Sequence, residues 1–216
     1  MAASRQHSGH AGSLAVGFAG SSTYELLPKV ARLYRAKYPD VELRLHGDML
    51  SGTQMASIRD GNLDVGFVRP FSRVPGVETE IVFTEPLVAM LPATHRLAQA
   101  DEIDLVDLAD DPFVLYEASG ALTESVQSIC AQAGFTPIAA QYARESYTVS
   151  CLVAAGYGVS LVPNAARHLH LDDLRYIPLS IKTPASIPLA VAWRTDNASA
   201  AVVNFLTTIQ EIIQEL

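Results

Sequence analysis

Cysteine and tryptophan are scarce in this chain, and cations are outnumbered. Two cysteines and one tryptophan stand among 216 residues, and 15 Lys plus Arg face 23 Asp plus Glu, for a net charge of -8. Each shortage excludes something. Duplex DNA is held first by Lys and Arg that displace the counterions condensed on its phosphates, and no stripe of cations here supplies that. Any contact with DNA must come from another part of the protein. Two cysteines are too few for a disulfide framework. Cys130 and Cys151 fall in helical stretches and read as small buried hydrophobes in a reducing compartment, with a bridge or a reactive thiol as the other reading. Long apolar runs are missing too. The most apolar stretch, Cys151 to Pro163, is broken by Gly156 and Gly158 and falls short of the roughly 18 continuous apolar residues of a membrane span. Met1 to Gly12 has no apolar segment for a signal peptide and reads as a tag remnant or frayed linker, so the structured part begins at Ser13 and the protein is expected in the cytoplasm.

Catalytic signatures are also lacking. There is no Gly-x-Gly-x-x-Gly, Walker loop, Gly-x-Ser-x-Gly or His-Glu-x-x-His. His168 and His170 stand two apart without a further ligand at metal spacing. Asp110-Asp111 and Asp172-Asp173 read as helix starts or solvated turns, and His46 and His95 as packing or surface residues. No cofactor, no metal and no enzymatic activity are expected.

What the chain does have is a core. With 49% hydrophobic and 18% charged residues, it has the make-up of a folded protein of one or two domains. From Ser13 short apolar runs alternate with helical periodicities, the sign of parallel strands joined by crossover helices. Leu14 to Phe18 reads as a strand, and Leu27, Val30, Ala31, Tyr34 and Tyr38 mark the next helix. Ser22 with Glu25 makes a capping box, although Pro28 predicts a kink or a late start. Val41 to His46 is the second strand, Ser51 with Gln54 a second capping box opening a short helix, and Leu63 to Val68 the third strand. Thr79 to Pro92 is an extended run suited to crossing between two lobes. The plan then repeats: strands at Phe113 to Tyr116, Ala139 to Arg144 and Val159 to Val162, and helices around Leu122 to Ala133 and Ser146 to Ala155. Ile187 to Trp193 makes a second crossing, followed by a terminal helix with an apolar stripe. The expected architecture is α/β, with two Rossmann-like lobes joined by two crossing strands. Lobe I comprises residues 13-86 plus 187-216, and lobe II residues 87-186.

Two such lobes place their strand-to-helix turns around a cleft, the usual place for a small ligand. The turns are rich in hydroxyls: Ser21, Ser22, Thr23 and Ser51 in lobe I, Ser119 and Ser146 in lobe II. At helix N-termini they offer backbone N–H groups and neutral donors to an anion. The competing reading is that Ser and Thr are simply preferred helix caps. Arg69 is the cation nearest this cleft, or else a structural partner of Glu85 or Asp64. Tyr116, Phe18, Phe67 and Tyr147 line the cleft or belong to the core.

Five segments in order carry a resemblance. They are Leu14-Ala15-Val16-Gly17-Phe18 through Pro28, Tyr38-Pro39-Asp40-Val41, Arg59 through Phe67, Leu105-Val106-Asp107-Leu108, and Val153 through Pro163. From about Ser13 to the C-terminus the chain resembles the effector-binding domain of LysR-type transcriptional regulators, most of all the subgroup governing aromatic degradation through benzoate, muconate or chlorocatechol-derived diacids. The resemblance implies a type 2 periplasmic-binding-protein-like fold. It also implies a small organic acid inducer, an aromatic carboxylate or muconate-like diacid, held by residues matching Ser21, Ser51, Arg69, Tyr116 and the Ser146-Tyr147 turn. It implies a homodimer in which the Leu26 to Tyr38 helix meets the partner's Leu122 to Ala133 helix, through Leu26, Val30, Leu33, Lys37, Val126 and Ile129. Promoter DNA would be bound by an N-terminal winged helix-turn-helix that this chain does not include. One departure stands out: cations near the cleft are few, while Glu117 and Glu145 occupy two of its turns. A solute receptor of a transport system shares the architecture and is the alternative reading; it would need an export signal or lipid anchor.

Overall fold

The computed structural model describes residues 12–18, 20–69, 73–117, 121–180 and 185–214. The chain forms two units, residues 1–84 with 188–216 and residues 85–187. It passes from the first to the second within β4 (Val77–Pro92) and returns within β9 (Ser186–Arg194).

In the first unit β1 (Gly12–Gly17) lies parallel to β2 (Val41–His46), with Leu14 opposite Leu43. It also lies parallel to β3 (Val65–Val68), with Val16 opposite Val65. β9 runs antiparallel to β3, pairing Val65 with Trp193, so the strand order is β2-β1-β3-β9. Apolar side chains every three or four residues cover one face of this sheet: Leu26, Leu27, Val30 and Tyr34 from α1 (Leu26–Lys37), and Val202, Phe205, Ile209 and Ile212 from α5 (Ala200–Gln214). Tyr34 meets Phe205 edge-on at 5.1 Å and donates its hydroxyl to the Ala201 carbonyl at 3.1 Å. Its burial, with Tyr38 and Asp64 nearby, pushes the phenol from 10.0 up to about 12. The other face is covered by α2 (Ser51–Arg59), whose Met55 and Ile58 pack with Leu63, Val68, Ala190 and Ala192. Helices on opposite faces flank the adjacent first and third strands.

The second unit repeats the scheme. β5 (Pro112–Tyr116) lies parallel to β6 (Ile138–Ala143) and is bridged in parallel to Val159, which leads into β7 (Ser160–Pro163). β4 runs antiparallel to β7, with Val88 opposite Val162, and to β8 (Leu174–Pro178), with Ala89 opposite Ile177. The helices are α3 (Ala121–Gln132) and α4 (Ser146–Ala154). Val126, Ile129 and Cys130 join Leu105, Phe113 and Leu161 in one core, and Val149 and Val153 join Met90 and Val162 in another. β5 approaches the start of β7 through two backbone hydrogen bonds of 2.8 Å, Val114 N–H to the Val159 carbonyl and Val159 N–H to the Pro112 carbonyl. Gly158, at φ +154, makes room: a Cβ there would lie 2.2 Å from the Pro112 oxygen.

Several expectations are corrected. Cys130 is buried, but Cys151 is exposed, because it lies on the side of α4 opposite Val149 and Val153. Neither Ser22 nor Ser51 is the N-cap of the helix it was expected to open. α1 starts late, at Leu26 after the turn that Pro28 disfavours, with Glu25 at its N-cap, and α2 starts after Leu50; neither N-cap side chain caps its helix by a hydrogen bond. A capping box exists instead at Asp104 and Asp107, before the 3-10 turn Leu105–Leu108. Of the residues expected to face a partner subunit, Leu26, Val30, Val126 and Ile129 are buried in the cores of their own units. The apolar stripe of an amphipathic helix is the one its own sheet takes. Leu33 is half-buried, and Lys37 is exposed and paired with Glu211.

Gly158→Ala is expected to lower stability by roughly 2–4 kcal/mol, through collision with the Pro112 carbonyl and backbone strain. Unchanged chemical denaturation would refute that account of the β5–β7 approach. The thiols should also separate. Burial pushes Cys130 up to about 12, so alkylation of the native protein should label Cys151 and reach Cys130 only on unfolding. Equal labelling of both, by mass spectrometry, would contradict the packing of α3.

Candidate functional site

In an open wound sheet the strand order reverses between the first and third strands, and the turns leaving their carboxyl ends diverge to leave backbone groups uncovered. In the first unit those turns follow β1 and β3. The 3-10 turn Gly20–Thr23 follows β1; Ser22 is buried at 2% exposure, whereas the side chains of Ser21 and Thr23 lie outside the described residues. At the end of β3 the Arg69 N–H donates to Ser51 Oγ at 2.9 Å. Ser51 is the first residue of α2, so its hydroxyl joins the third strand's end to the second helix's start. The Arg69 guanidinium donates through Nη1 to the Pro188 carbonyl at 2.9 Å. Asp64, weighed in the sequence as a partner for Arg69, accepts the Ala15 N–H at 2.8 Å and the Asn197 amide at 3.2 Å. Phe67 is 2% exposed and packs in the core against Phe205, so the bland reading of that aromatic is the correct one.

In the second unit the polar groups gather at the turns that follow β5 and β6. Tyr116 ends β5 and Ser146 begins α4; their hydroxyls are hydrogen-bonded at 2.9 Å and both residues are buried. Two further hydroxyls support them. Thr123 Oγ1 donates to the Tyr116 carbonyl at 2.7 Å, and Ser150 Oγ to the Ser146 carbonyl at 2.9 Å. Tyr147 is exposed. Arg144 pairs with Glu117 at 3.2 Å on the surface. Ser119 lies outside the described residues. Thr123 and Ser150 were not singled out in the sequence because each sits on a helical stretch without a motif around it. Gln54, read in the sequence only as half of a capping box, is fully buried and donates to the Met49 carbonyl at 2.6 Å.

The described groups at these turns are hydroxyls, amides and a guanidinium, suited to holding a polar guest by hydrogen bonds. Among the described residues no three of His, Cys, Asp and Glu gather as metal ligands would. His95 accepts the Leu97 N–H on Nδ1 at 3.2 Å, and its Nε2 lies 3.2 Å from Asp111 Oδ1. Arg96 pairs with the same carboxylate at 3.0 Å. This cluster ties the turn after β4 to the start of β5.

Two wound α/β units joined by two crossing strands define the type 2 periplasmic-binding-protein-like fold, a class of ligand-binding module. Residues 7–214 match the LysR substrate binding domain. The chain is 34% identical over 206 residues to the transcriptional regulator AlsR of Bacillus subtilis, covering 94% of this chain and 68% of that protein. It is 30% identical over 204 residues to BenM of Acinetobacter baylyi, covering 93% and 66%. The solved BenM effector-binding domain with its effector benzoate superposes with a TM-score of 0.85 at 30% identity, covering 94% of this chain and 93% of that one. The chain belongs to the LysR substrate-binding domain family. It is therefore the ligand-sensing regulatory domain of a DNA-binding transcription regulator, neither an enzyme nor a transport receptor. No described helix is long and apolar enough to cross a membrane.

Ser51→Ala should cost about 1 kcal/mol, since it strips the Arg69 N–H of its acceptor, and Tyr116→Phe about the same for the Ser146 hydroxyl. Urea titrations with unchanged midpoints in both variants would show that these bonds carry no net weight.

Proposed function

We propose that the domain senses a small organic acid, an aromatic carboxylate or a muconate-like diacid, and that the switch-point turns of each unit supply its contacts. In the first unit these are Ser21, Ser22, Thr23, Ser51 and Arg69; in the second, Tyr116, Ser119, Ser146 and Tyr147. The single observation that carries the reading is a hydroxyl hydrogen bond at the start of the second helix of each unit, Ser51 with the Arg69 amide and Tyr116 with Ser146. The likeness to a domain described with benzoate supports the ligand class. A carboxylate fits such surroundings because backbone and hydroxyl donors stabilise it without a free cation. Arg69 and Arg144 are already engaged with Pro188 and Glu117, which favours a monoanion over a dianion. The acid acts by binding one arrangement of the protein better than another, since equal affinity for both would shift nothing. The full regulator works in the cytoplasm as a homodimer or higher oligomer, with DNA bound by a separate N-terminal domain. In that dimer the outward residues of α1, Lys29, Arg32 and Arg35, face the outward Glu124 side of the partner's α3. All four are exposed, and opposite charges favour that pairing.

Benzoate and cis,cis-muconate at millimolar concentration should raise the melting temperature, because a ligand of the native state stabilises it by mass action. Ser146→Ala should weaken the better ligand by roughly fivefold to tenfold, the weight of one hydrogen bond. Flat melting curves across a panel of aromatic acids and diacids would remove the ligand class.

A further inference from the structure

The carboxamide of Gln54 is a polar group that neither the packing nor the proposed contacts explain. The residue is 0% exposed, and while its Nε2 donates to the Met49 carbonyl at 2.6 Å, its Oε1 is buried without a hydrogen-bond partner. The orientation is fixed by the acceptor, since a carbonyl accepts only from the amide nitrogen. A buried carbonyl left unpaired is destabilising, and an apolar side chain of the same shape would avoid that penalty. The amide is nonetheless closely accommodated. A Cβ on Gly66 would lie 2.6 Å from Oε1 and one on Gly17 3.0 Å, so glycine on both β1 and β3 leaves the space that the group fills.

What the amide holds is the approach to α2. Asp48 lies at φ 57, a left-handed conformation that only a few residue types tolerate. The Met49 N–H donates to the Phe18 carbonyl at 3.3 Å. Its carbonyl takes the Gln54 amide, and two residues later Ser51 Oγ takes the Arg69 N–H at 2.9 Å. We propose that Gln54 is a positioning residue: clamped against Gly17 and Gly66, its amide fixes the Met49 carbonyl and so sets where Ser51 and the Arg69 amide stand. It touches no ligand itself. The link to binding rests on the function proposed above; the clamp does not.

Gln54→Met tests it, with amide hydrogen exchange as the first readout and benzoate as the probe ligand. The melting temperature should stay level or rise, while exchange at the Met49 and Arg69 amides speeds up by about tenfold, as expected for one lost hydrogen bond. Exchange at Ile58, inside α2, should not change. Benzoate affinity should fall by a similar factor. Wild-type exchange at Met49 and Arg69, or acceleration spread evenly over the unit, would overturn the clamp. Unchanged benzoate affinity with loosened amides would overturn its link to binding. Should Gln54→Met not fold, Gly66→Ala displaces the same carboxamide from the opposite side and must loosen the same two amides. If neither folds, native-state exchange of the unaltered domain decides: Met49 and Arg69 opening as one unit supports the clamp, and separate opening free energies sink it. A failure of benzoate to bind the unaltered domain would count against the proposed ligand class and leave the exchange result standing.

Discussion

Both units depend on the close approach of a first and a third parallel strand whose following helices lie on opposite faces. That approach leaves space only for backbone, and the chain meets it differently in the two places. In the first unit Gly17 and Gly66 leave room for a helix side chain, Gln54, to lie against the strands. In the second, Gly158 lets Val159 exchange two hydrogen bonds with the segment Pro112 to Val114. The strand-end turns beyond these seams carry the amides and hydroxyls of Ser51, Arg69, Tyr116 and Ser146. The capacity to bind a ligand is in this sense a by-product of how the sheets are wound.

The electrostatics follow the same economy. A chain of net charge -8 has few cations to spare, and several of those it has are engaged with carboxylates: Lys29 with Glu25, Lys37 with Glu211, Arg59 with Asp60 and Arg144 with Glu117. The Arg69 guanidinium instead meets a backbone carbonyl. Neutral donors at rigid positions discriminate by geometry, whereas flexible charged side chains attract many anions alike. A sensor of metabolites gains from the former. The buried pair of Tyr116 and Ser146, backed by Thr123 and Ser150, is rigid for a further reason. Each hydroxyl there has its partner within the unit, so no buried polar group needs to move to be satisfied.

How much was legible in the sequence varies with the kind of signal. The wound repeat, β-α-β-α-β twice with an antiparallel strand after each, is written in apolar periodicity and in the glycines and prolines between segments. The family resemblance, carried by five ordered segments, is borne out by the match over residues 7–214. Capping was misread, because Ser22-x-x-Glu25 and Ser51-x-x-Gln54 fit the pattern while the N-caps fell at Glu25 and Leu50, Ser51 took a strand-end amide, and Gln54 reached back to the Met49 carbonyl. The partner-facing residues were misread for a related reason. An apolar stripe on a helix marks a buried face without saying whether the chain's own sheet or another subunit buries it, and for Leu26, Val30, Val126 and Ile129 it is the sheet.

By itself, then, the sequence determined the class of fold, the order of its elements and the acidic, cysteine-poor character of the chain, since these are set by composition and by spacing along the chain. Which hydroxyl meets which amide was decided only in three dimensions. Ser51 and Arg69, Tyr116 and Ser146, and Gln54 between Gly17 and Gly66 are brought together by residues distant in sequence. A hydrogen bond depends on tenths of an ångström and on direction, and no pattern of residue types encodes those until the strands have paired.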